Sequence, residues 1–381
     1  MRNRYLDFLR FLAIIRVVVY HATGWAFLTL VFPAMSVMFA LAGSLMARTI
    51  DRVGIWSVGR RLRRLLPSLW VMAALLVPAM LLTGLAVEWR LLYWLLPLGN
   101  PPSNSWGALA LSQVWYLRDY VWFVLVSPVV LPVFRRAPLP TLLAPYALLL
   151  ALEFGPWTSN EVVRDFGLYF GAWLLGFAHH DGLLQRIPRR LLVGIAATAA
   201  VLGGAWIVTH PGPRGFDIND IRLGNALWSL AFVLILLGMA PLRAAWVDRN
   251  RLLSRAVTAL NQRALTIYLW HMPLVLLVLT VTAPFGLYRE TWRGLAVQLI
   301  LLALLLAVAV ALFGWVEDLA AGRRLAVIPG RPSAPAAARI PAQRTPVDAP
   351  RGESADTPHG ESADAPRGGS ADASGINAPA R

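Results

Sequence analysis

The sequence predicts an all-α membrane protein: a polytopic bundle of about ten transmembrane helices with both termini in the cytoplasm. Three observations predict it. The 381 residues are 57% hydrophobic and only 14% charged, whereas a water-soluble domain carries roughly 25% charged residues. Ten apolar stretches lie within residues 1–324, most of them near the ~20 residues that a helix needs to cross a bilayer. The arginines between those stretches alternate from loop to loop, rich then poor.

The stretches run in order as follows. The first, 10–31, is too long for a cleaved leader and is interrupted by Arg16 and His21, so it reads as an anchor. The second, 34–47, is short and fits as a span inside a bundle. The third, 65–86, follows an arginine run. The segment 89–99 is rich in Trp and Leu but too short to cross, and reads as interfacial or re-entrant. Further spans are expected at 115–134, 139–157, 165–179, 190–209, 222–241, 262–283 and 292–316. From Leu325 the composition changes to Ala, Pro, Gly, Ser, Asp and Arg, and an eight-residue pattern recurs at 349–356, 357–364 and 365–372. Such short polar copies cannot bury a core, so 325–381 is expected to be a disordered, low-complexity cytoplasmic tail, distinct from a membrane domain of 1–324.

Loop charges set the orientation. The even-numbered loops hold 16 arginines and the odd-numbered loops 6, and the positive-inside rule puts the rich side, with both termini, in the cytoplasm. The net charge of +15 and the pI near 11.3 therefore reflect topology. Because the arginines form no continuous stripe, nucleic-acid binding is excluded. The chain has no cysteine and no lysine, which removes disulfides, thiolate chemistry, Schiff bases and a Walker-type phosphate loop. Neither metal-ligand spacing nor a Gly-rich nucleotide loop is present, so no metal and no bound cofactor are expected.

Ionisable residues within spans are costly and become functional candidates. Arg10 and His21 are eleven residues apart, close to three helical turns, which places them on one face with His21 about 16 Å along the axis. A cation at the inner mouth and an imidazole deeper in could hold an anionic donor while a base acts at the reacting end; a histidine can equally serve as packing glue between helices. Arg61 and Arg64 share a helix face and could fork phosphate oxygens, although juxtamembrane arginines also set topology and meet headgroups. Trp115, Arg118 and Asp119 open the fourth span. The adjacent Arg118 and Asp119 are expected to point to different faces, each needing its own partner, and the nearby aromatics could form an interfacial belt. His271 lies in the ninth span beside Pro273; it could line the same cavity or shape a kinked helix. His179 and His180 are neighbours that cannot chelate from one helix face, and read as structural.

Taken together, Leu6-Asp7-Phe8-Leu9-Arg10 with ten residues between Arg10 and His21, Arg61-x-x-Arg64 before Leu65-Leu66-Pro67, Trp115-Tyr116-Leu117-Arg118 and Ile267-Tyr268-Leu269-Trp270-His271 make the chain resemble the acyltransferase 3 family of bacterial membrane proteins over residues 4–316. One stretch departs from the family wording: where Phe-Phe-x-x-Ser-Gly-Phe is common, this chain has Met38-Phe39-Ala40-Leu41-Ala42-Gly43-Ser44, which keeps Phe39 and Gly43 and lacks the serine.

The resemblance implies a multi-pass enzyme of the bacterial inner membrane. It would move an acyl group, acetyl being the expected one, from cytoplasmic acyl-CoA as co-substrate to a hydroxyl of a cell-envelope carbohydrate or a secondary metabolite. His21 would then be the general base or a transient acyl acceptor, with Asp119 as a second catalytic candidate. Arg10, Arg61 and Arg64 would hold the CoA phosphates, and Trp115, Arg118 and His271 would line the substrate site. A membrane carrier of a lipid-linked or small hydrophilic molecule is the rival class, since buried charges also mark transport pathways; the chain shows no inverted repeat or paired broken helices to support it.

Overall fold

The computed structural model describes residues 3–240 and 244–325. Nearly all of the predicted tail, from residue 326 on, lies outside the described residues. In chain order the helices are α1 (Arg4–Thr23), α2 (Phe27–Val31), α3 (Ala34–Val53), α4 (Trp56–Leu82), α5 (Ser105–Ala110), α6 (Val114–Arg136), α7 (Pro138–Phe154), α8 (Glu161–His180), α9 (Leu183–Arg186), α10 (Arg189–Thr209), α11 (Arg222–Gly238), α12 (Ala245–Arg249), α13 (Arg251–Gln262), α14 (Ala264–Thr282) and α15 (Trp292–Ala320). No strand occurs among the described residues. A helix meets each predicted apolar stretch.

Six segments are long and apolar enough to cross a membrane: Phe27–Val53, Trp56–Leu82, Val114–Arg136, Arg189–Thr209, Ala264–Phe285 and Trp292–Ala320. The four other long helices differ for physical reasons. α7 and α11 are only 17 residues each, while α1 and α8 carry ionisable side chains along their length.

The predicted first span, 10–31, is not one helix. α1 begins earlier, where the Asn3 side chain accepts from the N–H groups of Tyr5 and Leu6. It stops at Thr23 because Gly24 turns left-handed (φ +72°) and returns its N–H to the Tyr20 carbonyl at 2.7 Å. His21 thus sits in the last turn of a helix, not in mid-span. α3 and α8 run past their predicted ends at both the short second and sixth stretches. The segment 89–99 contains a short 3₁₀ turn, Trp89–Trp94.

Two glycines let α3 and α8 pack backbone to backbone. A Cβ on Gly43 would lie 2.2 Å from the Trp173 carbonyl oxygen, and one on Gly176 would lie 2.1 Å from that of Ala40. Small residues give this close approach in membrane bundles, where no water drives helices together. Around the contact, buried Trp173 donates its indole N–H to Ser127 Oγ at 3.0 Å. At the end of α3, Arg135 bonds Asp51 and Asp181, His180 meets Asp51 at 2.8 Å, and His179 is hydrogen-bonded to Ser44 Oγ. The spacing in α8 alone could not reveal that α3 supplies His180 with a carboxylate. Asp51, His180 and Asp181 are close enough for a cation, but the Arg135 guanidinium already bonds both carboxylates.

α14 and α15 are joined by a bidentate pair, Arg263 to Asp318 at 2.7 and 2.8 Å, and by Thr266, whose N–H and hydroxyl both donate to Glu317. Trp270 stacks on Phe313 one layer further along.

Candidate active site

Two cavities of about 710 and 800 Å³ occupy the bundle. The first is lined by Arg10 of α1, Arg48 and Arg52 of α3, Arg61 and Arg64 of α4, and Arg323. Glu317 is the acidic residue on its wall, and its carboxylate is engaged by Thr266. Arg61 is partly committed, donating to the Leu45 carbonyl at 2.6 Å and Thr49 Oγ1 at 2.8 Å. Arg10 and Arg64 donate to no protein acceptor among the described residues, which leaves their guanidinium forks available to an anion.

His21 lies on the second cavity, with Arg16, Trp115, Arg118 and Tyr169. Tyr268 lines both cavities, so they stand back to back with its ring in the common wall. Tyr116 and Phe39 complete the partition, the Tyr116 ring lying 5.2 Å from Tyr268 and 4.5 Å from Phe39. Pro273 ties this wall to the start of α6. Proline has no N–H, so the Leu269 carbonyl one turn earlier loses its helical donor. Gln113 supplies the missing donor at 2.7 Å, and the Tyr268 hydroxyl donates to the Gln113 carbonyl at 2.8 Å.

His271 is fully buried behind His21 and lines neither cavity. The two imidazole rings are 5.2 Å apart. His271 Nδ1 is 2.6 Å from the Tyr268 carbonyl, an acceptor that requires the proton on Nδ1. Nε2 is buried without a hydrogen-bond partner. His21 makes no hydrogen bond to protein among the described residues, so its ring is held by contact with Tyr20 and His271.

The expectation for Arg118 and Asp119 needs correcting. Adjacent residues start toward different helix faces, but the long arginine folds back and its Nε donates to Asp119 Oδ1 at 2.9 Å. The same guanidinium also holds Asn100, Glu161 and Asp165. This knot, buried at Arg118 and Asp119, ties α6 to α8. Asp119 is 1% exposed and lines neither cavity. Near the mouth of the second cavity, Arg214 grips Asp220 at 2.7 and 2.9 Å and holds its carboxyl below the usual carboxylate range.

The model of the acyltransferase 3 family, described as an acyltransferase domain, matches residues 3–314. The chain belongs to this family. No curated protein and no solved structure matches it. Membership indicates a membrane acyltransferase, in keeping with the apolar helices.

In this acyltransferase 3 chain the fold brings Arg10, Arg61 and Arg64 to one cavity and His21, Trp115 and Arg118 to the other. Arg10 and His21, three turns apart on α1, thus face opposite compartments of one interior. Sequence reasoning missed Tyr268 and Gln113 as wall residues, and Arg48, Arg52 and Arg323 as lining cations. The proline at 273 was the available signal for the first two: a mid-helix proline demands an outside donor for the freed carbonyl.

Proposed function

We propose that this protein transfers an acyl group, acetyl the expected one, from acyl-CoA to a hydroxyl of a cell-envelope carbohydrate or a secondary metabolite. The reading places about ten spans and cytoplasmic termini in the bacterial inner membrane, so that the arginine-lined cavity opens to cytoplasmic CoA. One observation carries it: a polycationic cavity and an imidazole cavity share a single aromatic wall in a chain of an acyltransferase family.

In this reading Arg10 and Arg64, with Arg61, take the CoA phosphates, and the thioester arm passes between the wall side chains beside Tyr268 to bring its carbonyl to His21. His21 removes the proton from the acceptor hydroxyl as the oxygen attacks the thioester carbonyl. The C–S bond then breaks, the acyl group stays on the acceptor, and the thiolate leaves with the proton returned through the imidazolium. Admitting donor and acceptor from opposite cavities limits water at the thioester. Asp119 is left with a positioning role through Arg118.

The test is radiolabelled acetyl-CoA with purified protein, following CoA release and label on envelope extract. Arg10→Ala and Arg64→Ala should each weaken acyl-CoA binding about tenfold or more, the value of a lost charge-assisted hydrogen bond. Unchanged affinity in a direct titration would return these arginines to topology. His271→Ala should lower the transfer rate about tenfold to a hundredfold by freeing the His21 ring, with acyl-CoA affinity unchanged, since misplacing a reacting group costs on that order. Wild-type turnover in that variant would leave His271 a packing residue.

A further inference from the structure

The reading above leaves the acceptor open, and the cavity that holds His21 narrows its chemistry. Three guanidinium groups gather around the end of α1. Arg16 lies on the cavity wall, donates Nε to the Leu28 carbonyl at 3.0 Å and sits over the Tyr20 ring at 5.0 Å. Arg214 donates to the Tyr20 hydroxyl at 2.8 Å. Arg289 reaches Gly24, where a Cβ would meet its Nη1 at 3.4 Å. Tyr20 and Gly24 bracket His21 in the chain, and all three arginines line the cavity that holds it.

The acids of this cavity are not their counter-charges. Glu161 and Asp165 are its lining carboxylates, and Arg118 holds both, together with Asp119. Arg118 is thereby committed to protein carboxylates and is not free to take an anion. Arg214 is matched by Asp217 and Asp220 outside the lining. Among the described residues Arg289 is ion-paired only with Glu290, at 3.6 Å on the surface. Arg16 is half-buried and forms no ion pair among the described residues. Asp217 is the carboxylate that acts on it, and Asp217 is already engaged by Arg214 and the Tyr20 hydroxyl. A cation within a bundle is costly without a full counter-charge, and an anion in the cavity would complete it.

We propose that the acceptor is an anion. It is a sugar or small metabolite bearing a carboxylate or phosphate, whose acid group binds Arg16, with Arg214 and Arg289 flanking it, while its hydroxyl meets His21. Arg16 and His21 are five residues apart, about 7.5 Å along the helix, a distance that a short saccharide spans. The inference rests on the acyltransferase reading, but the anion site can be measured without it.

Purified full-length protein, without acyl-CoA, is titrated with two matched probe pairs: trigalacturonate against its methyl ester, and glucose 1-phosphate against glucose. Tryptophan fluorescence, with Trp115 on the cavity wall, provides the signal. At least one acid should bind about tenfold tighter than its neutral partner or better. The pair that shows the preference names the acid group. Arg16→Gln should remove that preference while Arg16→Lys keeps most of it, and the lysine variant also controls for folding. Equal binding of acid and neutral probes in both pairs overturns the proposal, as does an unchanged preference in Arg16→Gln. The transferase reading fails separately: acid preference with no CoA release sinks the enzyme and spares the anion site, whereas release driven only by neutral acceptors does the reverse.

Discussion

His21→Ala should lower acyl transfer by about 10²- to 10⁴-fold, the usual contribution of a general base, while leaving the protein folded and able to bind acyl-CoA. Each half of that expectation has its own structural ground. The imidazole makes no hydrogen bond to protein among the described residues and packs against the rings of Tyr20 and His271, so removing it breaks no hydrogen-bond network. Acyl-CoA binding should persist because Arg10, Arg61 and Arg64 face the other cavity, across Tyr268. The check pairs single-turnover label transfer with a donor titration on the same preparation. Full transfer by the alanine variant would remove His21 from the chemistry. Loss of donor binding along with transfer would mean that His21 and the arginines act in one compartment, contrary to the partition. If label from acetyl-CoA accumulates on the wild-type protein without acceptor and not on the variant, the imidazole carries the acyl group itself.

What the sequence made legible was whatever a local pattern encodes. Apolar runs near membrane length located the helices, because burying backbone polar groups in lipid leaves few other solutions. Charges inside those runs pointed to residues that line the two cavities, for the same energetic reason. The break at Gly24 was locally encoded too, but a continuous apolar run hid it: only the left-handed φ shows that α1 ends just beyond His21. The rest depends on partners far apart in the chain. Tyr268 and Gln113 are separated by 155 positions, and Tyr20 and Arg214 by 194. No spacing rule brings such residues together. The pairing of Arg118 with Asp119 failed differently. Helical periodicity assigns each Cβ direction, yet a side chain as long as arginine can fold back along the helix and bond its neighbour.

Gly176→Val should be strongly damaging, even though Gly176 lines neither cavity. The added Cβ alone would fall 2.1 Å from the Ala40 carbonyl oxygen and 2.6 Å from the Ser44 nitrogen. Both are backbone atoms, so no side chain can swing aside; α3 and α8 must separate. Overpacking of this kind costs about 1–3 kcal/mol when flexible groups can yield, and a backbone clash belongs at or above the upper end. The consequence for function follows from what the two helices carry. α3 supplies Arg48 and Arg52 to the arginine cavity and Phe39 to the partition, while α8 supplies Asp165 and Tyr169 to the histidine cavity. Driving the helices apart therefore deforms both substrate sites at once. Thermal unfolding in detergent should show a clear fall in Tm or loss of monodisperse protein. Gly194→Ala is the matched control: nothing lies within 4 Å of a Cβ there, and alanine is the better helix former, so its stability should hold or rise slightly. A Gly176→Val protein as stable as the wild type would mean that α3 and α8 do not pack through these glycines.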